Sequence, residues 1–325
     1  MKDVSIIIVG LNVRDVLQEC LTSIHKETKG IDFEIIYIDN ASNDESVEMV
    51  RKNFPETVII QNEQNNGFVK SNNQGIEISK GRYILLLNSD TVILDNAIAK
   101  TINFADSHPE AAVVGCKVLN PDKTPQSTMC CKFPSVLNLI LSGMFLDRLF
   151  PKNKFFGREG MEWWGKNSIS EVDVVSGCYM LVRKEAIDKI GGMDERYFIY
   201  SEEVDWCYRF KKSGWKILFT PEPEIIHYGG QTTKQTVEKF KLQYYGSKLI
   251  FMRLHKSTLE FLFTRFLIAL FLFLRIPLWI VVAIFKRNKR KRAITIIKIY
   301  CKCGFYCLLY WKNLLINKEA IKGQL

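Results

Sequence analysis

Residues 4–87 alternate between short apolar runs and amphipathic segments, and this alternation restricts the fold more than any other feature of the chain. The apolar runs are Val4–Val9, Glu34–Ile38, Val58–Gln61 and Tyr83–Leu87. The segments between them have helical periodicity, and they are Val13–Ile24, Asp44–Asn53 with Ser42 as its cap, and Val69–Ser79. Strands and helices that alternate at this pace form βαβ units. The sequence therefore predicts an α/β fold with a mostly parallel central sheet flanked by helices.

The regular alternation is lost over residues 116–170 and then returns. The irregular stretch contains four prolines, and a helix is predicted near Ser135–Phe150. Beyond it the sequence predicts strands at Val172–Val175, Tyr179–Val182, Lys216–Phe219 and Glu224–Tyr228, and helices at Lys184–Ile190 and Glu202–Lys212.

Small or polar residues follow each of the first four predicted strands. They are Val9, Gly10 and Asn12; Asp39; Asn65 and Gly67; and Asn88, Ser89 and Asp90. One such strand end is typical of a simple turn. Four of them meet at one edge of a parallel sheet, which favours a ligand-binding face.

Two aspartates on this face are candidates for binding a ligand. Asp39 either accepts a hydrogen bond from the imide N–H of a uracil-like or thymine-like base, or caps the next helix. The chain has no glycine-rich phosphate loop of the Rossmann or P-loop kind. A divalent cation, Mg²⁺ or Mn²⁺, on Asp90 is then the expected counter-charge for a diphosphate.

Three acids, Glu202, Glu203 and Asp205, begin the predicted helix after residue 201. Acids in a first helical turn ordinarily complement the helix dipole. Acids that are crowded together also raise one another's pKa, as a general base requires. His227 ends an apolar strand, where it is either structural or able to reach a metal or phosphate.

The C-terminal part differs in charge and hydropathy from the rest. Residues 231–325 hold 19 Lys/Arg and three acids, whereas residues 1–230 hold 26 basic and 32 acidic residues. Phe266–Phe285 is long enough to cross a bilayer despite Arg275, although it could also lie in the interface with its arginines reaching the surface. The basic run 286–292 follows it and is typical of a cytoplasmic, lipid-facing segment. A second apolar stretch is predicted over Ala293–Ile316, and the alternative is that both stretches are core helices of a soluble protein.

Two domains follow from this division: a catalytic domain over residues 1–255 and a membrane-associating tail over residues 256–325. Nine cysteines without framework spacing favour a reducing compartment. No signal peptide is recognisable before the first strand. We therefore expect the chain on the cytoplasmic side of a membrane, with no nucleic-acid partner.

The motifs taken together resemble the family 2 glycosyltransferases with the GT-A fold, and within them the rhamnosyltransferase-like branch. The resemblance covers about residues 3–230 and rests on the order and spacing of Val4–Asn12, Ile38–Asp44, Asn65–Phe68 with Asn72–Gly75, Leu87–Asp90, Ser176–Arg183, Gly191–Glu195, Glu202–Trp206 with Gly214 and Trp215, and Pro221–Gly230. It implies an inverting, metal-dependent transferase that moves a sugar from a dTDP-, UDP- or GDP-linked donor to a glycan or lipid-linked acceptor in cell-surface polysaccharide synthesis.

The resemblance also implies roles for individual residues. Asp39 would read the base, Asp90 would be the metal-side carboxylate, His227 would assist the metal or diphosphate, and Glu203 occupies the position of the family's catalytic aspartate. We expect the sugar and acceptor to lie beside Gly177, Gly192, Asp194 and Trp164.

The chain departs from the family pattern at two positions. Asn88 replaces the first acid of the metal motif, and Glu203 is one methylene longer than aspartate, so that Glu202 or Asp205 is an alternative base. The Gln-x-x-Arg-Trp element of processive members is missing, which argues for the addition of one or a few sugars. A non-catalytic binding or assembly protein is the main alternative, and a nucleotidyltransferase is disfavoured because Arg14 is the only cation near the first strand end.

Overall fold

The computed structural model describes residues 2–229 and 237–309, the second range with side chains from residue 241 onward. The strands are β1 (Lys2–Gly10), β2 (Phe33–Asp39), β3 (Val58–Gln61), β4 (Gly81–Asn88), β5 (Thr91–Ile93), β6 (Ala111–Leu119), β7 (Cys130–Cys131), β8 (Ser170–Glu171), β9 (Val174–Val175), β10 (Tyr179–Arg183) and β11 (Lys216–His227). The helices are α1 (Arg14–Glu27), α2 (Ser46–Asn53), α3 (Gly67–Ile78), α4 (Ala97–Ser107), α5 (Val136–Gly143), α6 (Leu146–Leu149), α7 (Lys184–Ile190), α8 (Glu202–Lys212), α9 (Val237–His255), α10 (Thr258–Phe285) and α11 (Arg290–Leu309).

The chain divides into two compact units. The first consists of Met1–Phe133, Gly160–Glu195 and Glu202–Lys234, and the second of Pro134–Glu159, Arg196–Ser201 and Gln235–Leu325. The helix α9 belongs to the second unit, together with α10 and α11. The predicted functional boundary at residue 255 stays a prediction.

The first unit is built on one large sheet in the order β3-β2-β1-β4-β10-β6-β11-β5, with β8 also paired to β11. The four N-terminal strands are parallel, as the alternation of strands and helices predicts. The second half is mixed, because β10 runs antiparallel to both of its neighbours and β5 and β8 run antiparallel to β11. The central strands β1 and β4 are almost completely buried, so the core lies on both faces of the sheet.

The predicted elements differ from the observed ones at several places, and the sequence analysis predicted none of β5, α4 and β6. The two C-terminal strands are one strand, β11, whose register shifts between Phe219 and Glu224, where Pro221 and Pro223 supply no N–H to the ladder. Helix α2 begins at Ser46, and the hydroxyl of Ser42 does not cap it. The predicted helix near Ser135–Phe150 is two short helices, α5 and α6.

The second unit contains the apolar tail. Among the described residues, α10 is the one helix long and apolar enough to cross a bilayer by length and composition, and it is mostly exposed. Its two arginines do not reach outward as predicted for an interfacial helix. The Arg265 guanidinium donates to the Cys307 and Leu308 carbonyls, and that of Arg275 lies 4.6 Å from the Phe145 ring centroid. Residues 310–316 of the predicted second apolar stretch lie outside the described part of the chain.

Candidate functional site

The register of the parallel strands brings the four predicted strand ends side by side. Gly10 lies opposite Asp39, Asp39 lies opposite Gln61, and Val9 lies opposite Asn88. A Cβ at Gly10 would lie 2.7 Å from the Tyr37 hydroxyl, so this close approach requires glycine. The residues that the sequence singled out on these strands therefore lie side by side at one edge of the sheet.

Asn12 joins the loop after β1 to the loop after β2. Its backbone, at a left-handed φ of 54°, donates an N–H to the Ser42 hydroxyl at 2.9 Å. Its side-chain oxygen accepts from the Asn43 N–H at 2.8 Å. Asparagine tolerates this backbone conformation better than most residues. The Ser42 hydroxyl is thus committed to the loop and not to a helix cap.

Asp39 is fully buried at the end of β2. One carboxylate oxygen accepts from the Tyr37 hydroxyl at 3.0 Å, and the other accepts from the Ser42 N–H at 2.9 Å. Burial raises the pKa of Tyr37, and the neighbouring Asp39 charge raises it further. Asp39 therefore holds the loop that precedes α2. Each of its oxygens keeps a second lone pair, so a contact with a nucleobase stays a prediction.

The third strand end is organised by side-chain amides. The Gly67 N–H donates to the Asn65 side chain at 2.9 Å, and Gly67 has a φ of 81°, which favours glycine. Behind it, the Asn40 oxygen accepts from the Ser71 hydroxyl at 2.7 Å and from the Asn62 amide at 3.0 Å. This amide network fixes the loop backbone next to Asp39, and neither Asn40 nor Ser71 was singled out from the sequence.

The fourth strand end meets His227, although 137 residues separate it from Asp90. Antiparallel pairing of β5 with β11 places His227 opposite Thr91. The imidazole Nε2 then lies 3.2 Å from the Asp90 carboxylate and 3.3 Å from the Asn88 amide nitrogen. The buried Ser89 lies between them in the chain. Three residues that the sequence assigned to a metal or diphosphate are thus brought together.

The other side of His227 is held by Gln126. The imidazole Nδ1 lies 3.2 Å from the Gln126 side-chain oxygen, and the Gln126 amide donates to the His227 carbonyl at 2.7 Å. Burial lowers the pKa of His227, but hydrogen bonds to Asp90 and Cys178 outweigh it and raise the pKa to about 10. Gln126 lies in the irregular stretch, where no sequence signal marked it.

The donor set fits a small divalent cation. No group of three or more His, Cys, Asp or Glu side chains is arranged for a metal in the described residues. Mg²⁺ characteristically binds through one or two protein ligands and takes its remaining ligands from phosphates and water. Adjacent ligands of an octahedral ion with bonds of about 2.1 Å lie about 3 Å apart. The 3.2 Å between Asp90 and His227 matches that spacing.

The acids at the start of α8 occupy two different environments. Glu202 and Glu203 each have one buried carboxylate oxygen, Oε2, without a hydrogen-bond partner among the described residues. Burial raises the pKa of both carboxyls, and the charge of Glu203 raises that of Glu202 further. An unpaired acceptor with a raised pKa is suited to take a proton.

Asp205, in contrast, is a paired carboxylate. It is buried and accepts from the Arg209 Nε at 2.8 Å. The remaining guanidinium nitrogens of Arg209 donate to the Gly192 carbonyl at 2.6 Å and the Ile190 carbonyl at 3.2 Å. Asp205 therefore orients the arginine that holds the loop after α7, and this pairing makes it the least suited of the three acids to act as a base.

The loop between β9 and β10 connects the strand end at Asn88 to Glu203. The Cys178 carbonyl accepts from the Asn88 N–H at 3.0 Å. A Cβ at Gly177 would lie 3.8 Å from the Glu203 Cβ. This loop therefore contacts both the strand end at Asn88 and the first turn of α8 at Glu203.

The predicted sugar and acceptor residues are placed in two regions. A Cβ at Gly192 would lie 2.8 Å from the Asn73 side-chain oxygen, which also accepts from the Met193 N–H at 3.0 Å, so the loop that includes Asp194 is fixed to α3. The Trp164 ring packs edge-on against Phe219 at 5.2 Å. That contact gives Trp164 a packing role beside β11, and its part in acceptor binding stays a prediction.

Comparison of the sequence with those of known proteins identifies a family and several relatives. Residues 5–191 match the model of glycosyl transferase family 2. The chain is 26% identical over 234 residues to an N-acetylglucosaminyl-diphospho-decaprenol L-rhamnosyltransferase of Mycobacterium tuberculosis, covering 67% of this chain and 74% of that protein. It is 25% identical over 182 residues to the rhamnosyltransferase WbbL of Escherichia coli, covering 53% of this chain and 65% of that protein.

Two solved structures share the fold. The mannosyltransferase PcManGT from Pyrobaculum calidifontis, in complex with GDP-Man and Mn²⁺, superposes with a TM-score of 0.58 at 12% identity over 95% of this chain and 88% of its own. GalNAc-T7, with UDP, GalNAc and Mn²⁺, gives a TM-score of 0.54 at 16% identity over 78% of this chain and 48% of its own. The expected GT-A fold class is confirmed, with a sheet that is mixed in its second half.

Proposed function

The chain belongs to glycosyl transferase family 2 and is a nucleotide-sugar glycosyltransferase of cell-surface polysaccharide synthesis, and we propose that it transfers one sugar with inversion to a hydroxyl of a glycan or lipid-linked acceptor. One observation carries this proposal. The short loop Ser176–Cys178 lies against Glu203 and against Asn88, and the Asn88 amide in turn contacts His227 of the Asp90–His227 pair. A leaving-group site next to a base is the arrangement that displacement at a sugar carbon requires.

The donor's nucleoside would bind along the ends of the parallel strands. Val9, Gly10 and Asn12 form one wall, Asp39 forms the floor, and Asn65 and Gly67 close the far side. A dTDP-, UDP- or GDP-linked donor is compatible with this edge.

The diphosphate would lie over Asn88, Ser89 and Asp90. Mg²⁺ or Mn²⁺ held by Asp90 and His227 would supply positive charge against the leaving nucleoside diphosphate. Because the pKa of His227 is raised to about 10, the cation would have to displace a proton from the imidazole in order to bind it. Asn88 contributes an amide where the family pattern has an acid, so it adds a neutral contact.

Glu203 would act as the general base. The Glu203 carboxylate would accept the proton of the acceptor hydroxyl while the hydroxyl oxygen forms a bond to the anomeric carbon. The bond from the anomeric carbon to the diphosphate breaks, and the nucleoside diphosphate leaves with the electron pair. Because attack and departure occur on opposite faces, the sugar is inverted. Beside it, burial raises the pKa of Glu202, and the charge of Glu203 raises it further.

The tail would hold the enzyme on the cytoplasmic leaflet of the cell membrane. Helix α10 is 28 residues long, about 42 Å at 1.5 Å per residue, and presents mainly apolar side chains to its surroundings. The run 286–292 behind it is exposed and basic. A lipid-linked acceptor would then be presented at the same surface.

The test is thermal stabilisation of the full chain by dTDP-, UDP- and GDP-sugars, with and without Mn²⁺ or Mg²⁺. A donor at a hundredfold excess over its dissociation constant adds about 2.7 kcal/mol to the free energy of unfolding. Asp90→Asn should remove the metal-dependent part, whereas Asp188→Asn, on the exposed face of α7, should leave it unchanged. Stabilisation that is the same without a metal would refute the metal site, and no stabilisation by any donor would refute donor binding.

A further inference from the structure

Residues 144–156 of the second unit, here called the 144–156 segment, expose a cluster of large apolar side chains. Leu149 is 67% exposed and Phe155 is 53% exposed. The exposed apolar residues of the segment are Met144, Phe145, Leu149, Phe150 and Phe155. Single exposed apolar residues are ordinary on a protein surface, but a contiguous group marks an interaction site.

The backbone of the segment satisfies its own hydrogen bonds. The Asn153 side-chain oxygen accepts from the N–H groups of Phe155 and Phe156 at 2.9 and 3.1 Å. The Gly157 N–H donates to the Asn153 carbonyl at 2.8 Å, and the Asn153 N–H donates to the Phe150 carbonyl at 3.0 Å. Backbone groups that are already paired can enter an apolar medium at little cost.

Exposed basic residues alternate with these apolar ones. Arg148, Lys152 and Lys154 are all exposed, and Asp147 is the one acid within the segment. The Arg148 guanidinium lies 5.5 Å from the Phe145 ring centroid. Apolar side chains beside basic groups match the acyl boundary and anionic headgroups of a bilayer. Lysine is depleted at protein–protein interfaces, which disfavours a protein partner.

The segment is continuous with the apolar tail. Gly143, at the end of α5, lies against the Phe271 ring so closely that a Cβ there would clash. The Arg275 guanidinium donates to the Gly143 carbonyl at 3.4 Å and stacks on Phe145. Both contacts lie within the second unit, so the segment leaves α5 directly beside α10.

We propose that the 144–156 segment is a second membrane-contact element, which places Leu149, Phe150 and Phe155 at the headgroup–acyl boundary of an anionic bilayer. It lies about 110 residues before α10 in the chain and extends the contact beyond a single helix. The inference rests on the proposed membrane association of the tail, and it concerns residues that the tail does not include.

The test is site-specific photo-crosslinking of the full chain in vesicles that contain 30% phosphatidylglycerol in phosphatidylcholine. Benzoylphenylalanine is introduced singly at Leu149, at Leu278 of α10, and at Val58 of β3, which is exposed in the first unit. We expect lipid adducts from positions 149 and 278 at comparable yield, and at least tenfold less from position 58. Donor-dependent thermal stabilisation of each variant confirms that the first unit is folded.

Three other outcomes would each overturn the inference, and each has a different meaning. Adducts from position 278 without adducts from position 149 would leave the tail proposal intact and remove the 144–156 segment from the membrane. Protein adducts from position 149 to a second copy of the chain would make the surface an oligomer interface. An absence of lipid adducts from both positions would refute the tail proposal together with the inference.

A charge substitution tests separately whether the basic side chains contribute to the proposed membrane contact. One basic residue near an anionic bilayer contributes about 1 kcal/mol, which is about a fivefold change in partitioning. Lys152→Glu should therefore lower the lipid adducts from position 149 at least fivefold in anionic vesicles and much less in neutral ones. Lys123→Glu, an exposed position of the first unit, is the matched control and should leave the yield unchanged. An equal loss in both variants would contradict the role of Lys152.

Discussion

Replacing Glu203 by glutamine separates the proposed chemistry from the fold. The two side chains have nearly the same shape, so the site should keep its packing while losing the proton acceptor. General bases contribute about 10²–10⁴-fold to the rate, which corresponds to about 2.7–5.4 kcal/mol of transition-state stabilisation. We expect Glu203→Gln to lower kcat by that factor while the donor still stabilises the protein as it does in the wild type.

The same substitution should raise stability, because the carboxylate that it removes is buried without a partner. Burial raises the pKa of Glu203 above its unfolded value. The folded state therefore binds its proton more tightly, and the stability that this provides is present at low pH and lost as the pH rises through the raised pKa. At high pH, the buried charge costs the folded state about 1.4 kcal/mol for each unit by which the pKa is raised, and the neutral amide of glutamine removes this cost. Glu203→Gln should thus be more stable than the wild type at pH 8 by this cost and nearly equal to it at pH 4.

The assay measures sugar transfer and urea unfolding of the same preparations over this pH range. Glu203→Asp is the first control, because the family has aspartate at that position and some activity should remain. Glu202→Gln is the second, and it should stabilise the protein at pH 8 and cost less activity than Glu203→Gln. Full activity of Glu203→Gln would refute the role of Glu203, a larger loss in Glu202→Gln would move the base to Glu202, and a loss of stability at pH 8 would refute the argument from burial.

Three further perturbations test the residues that support the site. Gly10→Ala places a Cβ 2.7 Å from the Tyr37 hydroxyl, so it should cost about 1–3 kcal/mol in urea unfolding and weaken donor binding, whereas an unchanged midpoint would contradict the requirement for glycine. Asn88→Asp should lower the Mn²⁺ concentration for half-maximal donor stabilisation several-fold, and an unchanged Mn²⁺ titration would show that Asn88 does not face the cation. Arg209→Met removes the cation that is paired with the buried carboxylate of Asp205, which costs about 3–5 kcal/mol; adding Asp205→Asn should recover part of that loss, and strictly additive losses would argue against the pair.

The parallel half of the sheet was predictable because its signals are local. Each of the first four strands is a short apolar run that ends in a small or polar residue, and the first three are each followed by a periodic helix. The boundaries of the four strands are observed within about two residues of the predicted ones. The strand-end residues could then be placed on one edge without knowing any distant contact.

The contact between Asp90 and His227 could be predicted only in part from the sequence, because it depends on pairing between distant segments. Nothing near Thr91 in the sequence indicates that β5 pairs with β11, so the 3.2 Å contact of Asp90 with His227 follows from the structure alone. Gln126 was missed for the same reason, since it lies in the irregular stretch and meets His227 across 101 residues. Antiparallel pairing over such separations leaves no short-range pattern.

The sequence alone could have separated Asp205 from the other two acids of α8, by a rule that the structure supplies. A side chain four positions further along a helix lies next to the first. Asp205 has Arg209 at that position, and the two are paired at 2.8 Å. Glu202 and Glu203 have Trp206 and Cys207 there, neither of which can neutralise a carboxylate. In this cluster of helical acids, the one with a cation four residues on is ion-paired, whereas each of the two without such a cation has an oxygen, Oε2, with no hydrogen-bond partner among the described residues. Contact with the loop that leads to Asn88 then distinguishes Glu203 from Glu202, because a Cβ at Gly177 would lie beside the Cβ of Glu203.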